Sequence, residues 1–490
     1  MADLQELSRG WPAATRLAVL AVRSGVRTDL NQVRHDDALS EYLTTEVLSG
    51  LDAEVRDFVM TATVDEVVCA SLLDAVRGAW DSAQLLERCV EQGLFLVREA
   101  ATDDEPWFRW HALFATQLRD RRLAEPGSGR ELARRAASWW RGVDPDIAVT
   151  HALAARDDEL AGEIAAAVWL DLVLAGRGDT ARRIATAVPG DVSQAAELHL
   201  ARAFVAAEEG AVDVARVELG DARGVADRLA GSARARFEMR ATVVELFVVR
   251  DRAALAESLE RGRRLLEESE SSEVQPDRAT LALVKLYVGM SGARLLDHPL
   301  EAVRLLREAR STAHEAGYVA LGLMAQAEAC IPSIATGRLD DSRVLAEQVI
   351  AEASAKGWSD LPGTAMATGY LGWLALWKGE PARAVGLLTR CGETLLPHDW
   401  GMLGLVSTVQ AQACLSAGDV EGAERACTRA HELASHGRMP PWWPSLRTAI
   451  DAMVLADRGV LDEASRLAQQ PVEGPQFHLA TCFRAVILLR

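Results

Sequence analysis

The stretch Leu374-Ala375-Leu376-Trp377-Lys378-Gly379-Glu380-Pro381-Ala382-Arg383-Ala384 decides the fold of this chain. Its apolar residues lead into Gly379, which can adopt the left-handed conformation that ends a helix, and Pro381 suits the first turn of the helix that follows. Ala384 lies five positions after the glycine, on that first turn, where a larger side chain would hold the two helices apart. The stretch therefore predicts two closely packed helices joined by a sharp turn.

The same spacing, a turn-forming residue followed five positions later by a small one, occurs eight times. The pairs are Gly176 and Ala181, Gly210 and Ala215, Asp251 and Ala256, Asp297 and Ala302, Gly337 and Ser342, Gly379 and Ala384, Gly418 and Ala423, and Gly459 and Ala464. Successive turns lie 34 to 46 residues apart, which is the period of two-helix repeats that stack into an α-solenoid. Because one pair cannot bury its apolar face alone, neighbouring pairs must share a continuous core.

The composition supports a mostly α-helical chain of more than one domain. The 490 residues are 49% hydrophobic and only 5% aromatic, and the abundant alanine and leucine favour helix over strand. The formal net charge of -18 argues against a general nucleic-acid-binding surface, since attraction to phosphates needs a positive field. We therefore expect no direct DNA binding by this chain.

The cysteines and the apolar runs indicate the cellular compartment of the protein. The seven cysteines are scattered and odd in number, which predicts reduced, mostly buried thiols rather than a disulfide framework. The N-terminus lacks the basic start and apolar run of a secretory signal, and the longest apolar stretch, Ile164 to Ala175, is broken by Asp171 and too short to span a bilayer. These features predict a cytoplasmic protein without a membrane partner.

The sequence before the repeats predicts a different domain. Helical patterns over 51–60, 65–76 and 81–92 are followed by two short extended runs, 94–97 and 107–110, with a polar loop between them. Three helices and a β-hairpin predict a winged-helix domain over residues 51–125. Helices are also predicted in residues 1–50, and the helical repeats occupy residues 126–490. The acidic segment 267–273 is predicted as an exposed loop between helices.

Four segments resemble a known family. They are Gly10-Trp11-Pro12-Ala13, Phe95-Leu96-Val97, Arg109-Trp110-His111-Ala112-Leu113-Phe114 and His151-Ala152-Leu153-Ala154-Ala155. Together they are similar to the large ATP-binding LuxR-type, or MalT-like, transcriptional regulators of the STAND class. In that family a P-loop NTPase precedes a winged helix, a TPR-like sensor and a DNA-binding helix-turn-helix. The resemblance implies that residues 1–50 are the helical end of the NTPase module and that residues 126–490 are the TPR-like sensor domain.

Two parts of that family's arrangement are missing from the sequence. No Gly-x-x-x-x-Gly-Lys-Ser/Thr motif occurs, so the phosphate-binding loop is absent, and we find no helix-turn-helix between the repeats and Arg490. We expect a truncated, split or misassigned gene product with no cofactor of its own, whereas the resemblance implies ATP or ADP for the full-length family. An NTPase module acting in trans is therefore an expected partner.

The resemblance also supplies the one candidate cofactor-binding residue. It implies that His111 contacts the phosphates of ADP bound to the NTPase module, and the alternative is that His111 packs between Trp110 and Phe114 as a structural residue. Trp442 and Trp443 are bracketed by prolines near an inner-face loop of the repeats. They are candidates for lining a ligand groove, and core packing is the alternative for them.

Two other patterns resemble sites but fit the repeats better. Gly176-Arg177-Gly178-Asp179-Thr180-Ala181 matches a dinucleotide-binding pattern without the strand that such a site requires, so we interpret it as a helix turn. His431 and His436 are five positions apart, whereas two zinc ligands on one helical face must be four apart. Cys427 has the right distance from His431, but a third ligand is missing nearby. We predict no metal site.

Two functions fit these observations. In the first, the chain is the ligand- or protein-sensing, signal-transmitting portion of a regulator, with a small-molecule inducer or a regulatory protein bound to the concave face of the repeats. In the second, it is a free-standing TPR-like scaffold for protein–protein interaction. No nucleophile, base and orienting group can be assembled from the sequence, so we expect no catalytic residues and no enzyme activity.

Overall fold

The computed structural model describes residues 48–99, 105–124, 128–249, 252–271, 276–295, 298–332, 337–397, 399–434 and 443–470. These residues are almost entirely helical, as predicted, with one three-stranded sheet among them. They divide into two compact units. The first comprises the described residues up to Val168 together with Ile184–Gln194, and the second comprises Trp169–Arg183 together with the described residues from Ala195 onward. The predicted end of an NTPase module lies outside the described residues, apart from a 3-10 turn at Leu48–Gly50.

The first unit begins with the elements of a winged helix. In chain order they are α1 (Ala53–Ala62), β1 (Val67–Cys69), α2 (Ala70–Arg77), α3 (Ser82–Glu91), β2 (Leu96–Arg98), β3 (Trp107–Trp110) and α4 (Ala112–Ala124). The sheet has the antiparallel order β1-β3-β2, with Val67 opposite Arg109 and Leu96 opposite Trp110. The winged helix predicted from the sequence is therefore confirmed, with one strand more than expected.

That extra strand corrects the predicted helix over residues 65–76. Val67 and Val68 are β-branched and pair with β3, where Val68 is fully buried. Tertiary pairing thus overrides the helical pattern, and α2 begins only at Ala70. The strand predicted at 94–97 begins later as well, because Phe95 has a positive φ of 49° and breaks the extended run.

The first unit continues with α5 (Ser128–Trp140) and α6 (Pro145–Ala154). Asp144 caps α6 by accepting a hydrogen bond from the backbone of Asp146 at 3.0 Å, and Pro145 opens the helix. The rings of Trp107 and Trp140 lie 6.0 Å apart and join β3 to α5. This aromatic contact anchors the helix to the sheet of the winged helix.

Eight helical pairs follow in the part of the chain that the structure describes. They are α7 (Asp158–Leu174) with α8 (Gly178–Ala187), α9 (Ala195–Glu208) with α10 (Val212–Val225), α11 (Gly231–Val248) with α12 (Arg252–Ser271), α13 (Arg278–Leu295) with α14 (Pro299–Glu315), α15 (Val319–Glu328) with α16 (Leu339–Ala355), α17 (Ala365–Trp377) with α18 (Pro381–Thr394), α19 (Trp400–Ser416) with α20 (Val420–Ala434), and α21 (Trp443–Asp457) with α22 (Leu461–Ala468). Short 3-10 turns, Ala226–Arg228 and Pro362–Thr364, precede α11 and α17.

The turns inside the pairs have the predicted geometry. We call the spacing of a turn-forming residue and a small residue five positions later the cadence. The six glycines of the cadence have φ between 72° and 81°. After Gly379, the amide of Glu380 donates to the carbonyl of Ala375 at 2.9 Å, which satisfies a carbonyl that the helix end would otherwise leave free. Asp251 and Asp297, the two aspartates of the cadence, lie outside the described residues.

The small residues of the cadence are buried in seven of the eight pairs. These seven are Ala181, Ala215, Ala302, Ser342, Ala384, Ala423 and Ala464, none more than 3% exposed. Ala256 is exposed, so the prediction is wrong for the third pair, where Ser258 and Leu259 are buried instead. The helix that carries them, α12, extends to Ser271 and includes part of the acidic segment that was predicted as a loop.

The first and second helices of a pair are buried differently. A second helix such as α18 buries a single stripe, Ala384, Leu388 and Cys391. The first helices pack against their second helix and also against each other, from α9 through α11, α13, α15, α17 and α19 to α21. They are therefore apolar on most sides, and a charged residue on one of them needs an explanation. No helix in the described ranges is long and apolar enough to cross a membrane.

Candidate ligand site on the first helices

His111 lies where β3 gives way to α4. Its backbone amide donates to the carbonyl of Phe95 at 2.8 Å, and its own carbonyl accepts from Ala115 at 3.0 Å. Its side chain is half-buried. Nearby, the fully buried ring of Phe114 packs 5.0 Å from Phe95 and 5.6 Å from Trp110. The backbone of His111 thus holds the strand-to-helix junction, and its contact with a nucleotide stays a prediction.

The winged helix contains a buried polar contact that the sequence did not suggest. Asp65 accepts a hydrogen bond from the indole nitrogen of Trp140 at 2.7 Å, and its carboxylate lies 2.9 Å from the imidazole of His151. His151 is 7% exposed and belongs to the family-like segment at the end of α6. Its role in this structure is to join α6 to the winged helix.

Trp443 is a core residue of the last described pair. Its ring is 1% exposed, and its indole nitrogen donates to Thr408 Oγ1 at 3.0 Å. The guanidinium of Arg447 lies 4.9 Å from the ring centroid. Trp443 therefore packs inside the repeats in this structure and does not line an open groove, and Trp442 lies outside the described residues.

One group of side chains in the described part of the chain has the geometry of metal ligands. It consists of His199, Glu218 and Asp221. Glu218 already accepts from the guanidinium of Arg202 at 3.0 Å and contacts His199 Nδ1 at 2.7 Å. These contacts lower the pKa of Glu218 against the opposing effect of burial. Because an arginine occupies the same carboxylate, we assign no metal to this group.

Buried charged residues on or just before the first helices of the second unit form two clusters. The Arg240 cluster comprises Trp169, Glu197, Arg240, Asp277 and Thr280. Arg240 is 7% exposed, and it donates to Glu197 at 3.0 Å and to Thr280 Oγ1 at 2.8 Å. Its third contact, to Asp277, is 3.3 Å long, and its guanidinium lies 5.3 Å from the ring of Trp169. The positive charge of Arg240 is therefore matched on several sides.

The second group, the Arg294 cluster, comprises Arg294, Glu328 and Asp399. Tyr287 lies within electrostatic range of these three residues and also of Glu208. Arg294 lies 3.3 Å from a carboxylate oxygen of Asp399 and 3.5 Å from one of Glu328. Burial raises the pKa of Glu208 to about 7, and the charge of the neighbouring Glu209 adds to this shift. Burial also raises the pKa of Glu328. Burial thus destabilises the ionised form of both of these carboxyl groups.

Aromatic rings connect the two clusters. Trp169 of the Arg240 cluster lies 5.9 Å from Phe204, and Phe204 lies 6.0 Å from Phe247. Phe247 lies 4.6 Å from Tyr287, which is within electrostatic range of the Arg294 cluster. Burial raises the pKa of Tyr287, and the nearby charge of Glu208 raises it further. The first helices therefore carry a continuous chain of largely buried aromatic rings with a charged cluster at each end.

Two contacts in this region join pairs that are not neighbours. The hydroxyl of Tyr318, just before α15, donates to Asp171 of α7, although the two residues are 147 positions apart. Arg294 at the end of α13 and Asp399 just before α19 are 105 positions apart. Because the partners come from distant pairs, the two clusters lie where separated parts of the stack of first helices approach each other.

Sequence reasoning did not find these clusters, although it had a signal for them. Glu328 follows Ala325, Gln326 and Ala327 on a helix whose remaining positions are almost all apolar. Arg240 and Glu197 lie on helices that bury more than half of their residues. A charged residue within a helix that is apolar on most sides indicates a buried partner or a ligand.

Known proteins match parts of this chain in sequence. The profile of the MalT winged helix domain matches residues 44–130. The chain is 41% identical over 169 residues to the serine/threonine-protein kinase PknK of Mycobacterium tuberculosis, in an alignment that covers 32% of this chain and 15% of the kinase. It is 33% identical over 162 residues to the HTH-type transcriptional regulator MalT of Klebsiella pneumoniae, and this alignment covers 32% of this chain and 18% of the regulator. The chain thus aligns with less than a fifth of either relative.

A solved structure extends the similarity in fold to most of the chain. It is that of a STAND protein with a tetratricopeptide repeat sensor from Pyrococcus horikoshii, with a TM-score of 0.56 and 13% identity. The superposition covers 94% of this chain and 66% of that protein. Together with the sequence matches, it confirms the predicted resemblance to the MalT-like regulators of the STAND class.

Proposed function

Since the chain resembles the MalT-like STAND regulators in its winged helix and in its repeats, we propose that it is a ligand-sensing, signal-transmitting portion of such a regulator. The repeats would bind a small-molecule inducer or a regulatory protein on the face formed by their first helices. The winged helix would relay the bound state to an NTPase module, in the same polypeptide or in trans. Neither catalysis nor direct DNA binding is assigned to this chain.

One observation carries this proposal. Buried charged groups and a chain of aromatic rings lie together on the first helices, where a purely structural repeat would place apolar side chains alone. Convergent polar groups beside aromatic rings are typical of ligand sites. The matching winged helix and the fold similarity to a protein with a repeat sensor support a regulatory role for such a site.

The winged helix would have a role of its own, which is to contact the nucleotide. We propose that the half-buried His111 contacts nucleotide phosphates when an NTPase module is present. His111 lies at the junction of β3 and α4, so a contact there would act on the whole wing. The NTPase module, in the same polypeptide or in trans, would supply the nucleotide. The repeats of this chain would supply the response to the inducer.

A thermal-shift screen of the purified chain tests the sensor role. The panel contains neutral sugars, amino acids, small amines and nucleotides. A ligand that binds only the folded repeats stabilises them by RT ln(1 + [L]/Kd), which is about 2.7 kcal/mol at a concentration of about one hundred times Kd. At least one compound is expected to raise Tm in proportion to the logarithm of its concentration.

The controls separate a sensor from a scaffold. The ligand-induced shift must be reduced by Arg240→Gln and must be unchanged by Arg383→Gln, which alters an exposed arginine on the second helix α18. A chain that responds to no compound in the panel, yet binds a protein partner through its repeats, would be a free-standing scaffold.

A further inference from the structure

Three helices of the second unit enclose a cleft that neither charged cluster occupies. This cleft, the α15 cleft, has a volume of about 500 Å³ and is lined mainly by residues of α14, α15 and α16. Of these helices, α14 and α16 are the second helices of neighbouring pairs, and α15 is the first helix between them. The lining includes no residue of the Arg240 or Arg294 cluster. The volume is typical of a site for a small molecule.

One wall of the α15 cleft is basic. Arg307, Arg310 and His314 line it from α14, where spacings of three and four residues place them on one face of the helix. The guanidinium groups of Arg307 and Arg310 have no ion-pair or hydrogen-bond partner among the residues that the structure describes. One turn earlier, Arg304 instead pairs with Glu308 at 2.7 Å. In a chain with a formal net charge of -18, two unpaired arginines on the wall of one cleft indicate a site for an anion.

A buried amide on α15 lines the same cleft. Gln326 is 3% exposed, and its Oε1 atom has no hydrogen-bond partner in the described part of the chain. A buried acceptor without a donor leaves its loss of hydration uncompensated. Gly322 and Leu323, which lie one turn before it and also line the cleft, have no donor in their side chains. An occupant of the cleft with an O–H or N–H group would therefore complete the hydrogen bonding of Gln326.

The basic wall and the buried amide belong to the same contact between helices. A Cβ atom added at Gly322 of α15 would lie 3.6 Å from the carbonyl oxygen of Arg310 and 3.9 Å from its Cγ atom. The two helices are thus in close contact at this point, and the stem of Arg310 lies against α15. Gln326 is one helical turn after Gly322 on the same face. One small molecule can therefore contact both the arginine and the amide.

The rest of the lining narrows the class of anion. Val319, Leu323 and Leu345 give the cleft apolar walls, which suit an organic molecule better than an inorganic ion. Glu352 of α16 also lines it, so the two guanidinium groups and this carboxylate leave one net positive charge. A carboxylate matches that charge and can accept two parallel hydrogen bonds from an arginine. A phosphate dianion would bring a second negative charge near Glu352.

From this juxtaposition we propose that the α15 cleft binds a small organic carboxylate that has an apolar body and a hydrogen-bond donor. Arg307 and Arg310 hold the carboxylate, and Gln326 accepts a hydrogen bond from the donor. The apolar body packs against Leu323 and Leu345. The site goes beyond the proposed function, because it lies between second helices and is separate from the face of the first helices.

Isothermal titration of the purified chain tests the proposal directly. The probes are 3-(4-hydroxyphenyl)propionate and N-acetylleucine, each compared with its uncharged primary amide. Two further probes are 3-phenylpropionate, which lacks the hydroxyl donor, and 2-phenylethyl phosphate, which replaces the carboxylate. At least one of the two acids is expected to bind. Its amide is expected to bind at least about tenfold more weakly, which corresponds to about 1.4 kcal/mol.

Substitutions on α14 and α15 give the second readout. Arg307→Gln and Arg310→Gln are expected to weaken acid binding by about tenfold or more. The matched control Arg304→Gln, on the same helix and paired with Glu308, should change it by less than about twofold. Gln326→Leu should abolish the preference for 3-(4-hydroxyphenyl)propionate over 3-phenylpropionate, because the acceptor for the hydroxyl is gone. Melting curves establish that each variant is folded.

The outcomes separate this site from the proposed function. If no acid binds while another compound raises Tm in a way that depends on Arg240, the cleft site is wrong and the sensor role stands. If the acids bind but no compound depends on Arg240, the cleft site stands and the first-helix face is wrong. Equal binding of acid and amide, or acid binding that Arg307→Gln and Arg310→Gln leave unchanged, would overturn the assignment. Tighter binding of 2-phenylethyl phosphate than of 3-phenylpropionate would overturn the choice of a carboxylate.

Discussion

The two glycines Gly379 and Gly386 predict opposite responses to the same substitution. Gly379 has φ of 76° and ends α17, whereas Gly386 lies inside α18 with ordinary helical geometry. Both are exposed, and a Cβ added at either position meets nothing within 4 Å. Steric contact with neighbours therefore plays no part, and the backbone conformation alone sets the sign of the effect.

The magnitudes follow from backbone energetics. Alanine in the left-handed conformation destabilises the folded state by about 1–2 kcal/mol. Because alanine also lowers the entropy of the unfolded chain, it stabilises the folded state by about 0.4–1 kcal/mol. Gly379→Ala is thus expected to destabilise the pair by about 1 kcal/mol. Gly386→Ala places a good helix former in a helix interior and is expected to stabilise it by about 0.8–1 kcal/mol. The two variants should differ by about 2 kcal/mol.

The assay must be local, because repeat arrays do not always unfold in one step. Urea denaturation followed by circular dichroism gives the global change. Hydrogen exchange of peptides from α17 and α18 gives the opening free energy of the affected pair. If both substitutions shift stability in the same direction, or if Gly379→Ala has no effect on exchange in α17, the turn does not act through its left-handed glycine.

Three further predictions concern packing, the winged helix and pH. Ala384→Leu should lower the free energy of unfolding in urea by about 1–3 kcal/mol, because Ala384 is fully buried. Ala256→Leu, at an exposed position, should lower it by less than about 0.5 kcal/mol. Equal effects of the two substitutions would contradict the packing role of the cadence. Asp65→Ala removes the acceptor of Trp140 and should cost about 1–3 kcal/mol in thermal unfolding; an unchanged Tm would contradict it. The folded pKa of Glu208, about 7 against an ordinary 4.5, means that the folded state holds its proton longer, so the contribution of this carboxyl to stability falls as pH rises from about 4.5 through about 7. Glu208→Gln should flatten this part of the plot of unfolding free energy against pH, measured by urea titration. An unaltered slope would show that folding does not raise the pKa of Glu208.

The repeat turns could be predicted because their signal is local. A glycine, a proline or aspartate just after it and a small residue on the next turn are all within a few positions, and each has a conformational reason. The exception, Ala256, shows the limit of such a signal. Which face of α12 turns inward depends on its neighbours, and these bury Ser258 and Leu259 instead.

The first strand of the winged helix and the charged clusters depend on distant residues. Val67 and Val68 form a strand because β3, some forty residues later, offers its edge. Glu328 and Asp399 meet at Arg294 only after the intervening pairs have stacked. Sequence alone marks such charges as unusual in apolar helices, but it does not give their partners.

The contacts between distant pairs change how the repeats respond to a ligand. In a row of repeats that touch only their neighbours, stability is a sum of local terms, and a ligand on one pair acts mainly there. The Arg294 cluster draws on α13, α15 and the residue that caps α19. A ligand bound at this cluster would therefore act on three of the described pairs at once, in the arrangement that brings them together. Differential affinity for that arrangement is what a sensor requires, because a ligand shifts an equilibrium only as far as it prefers one state.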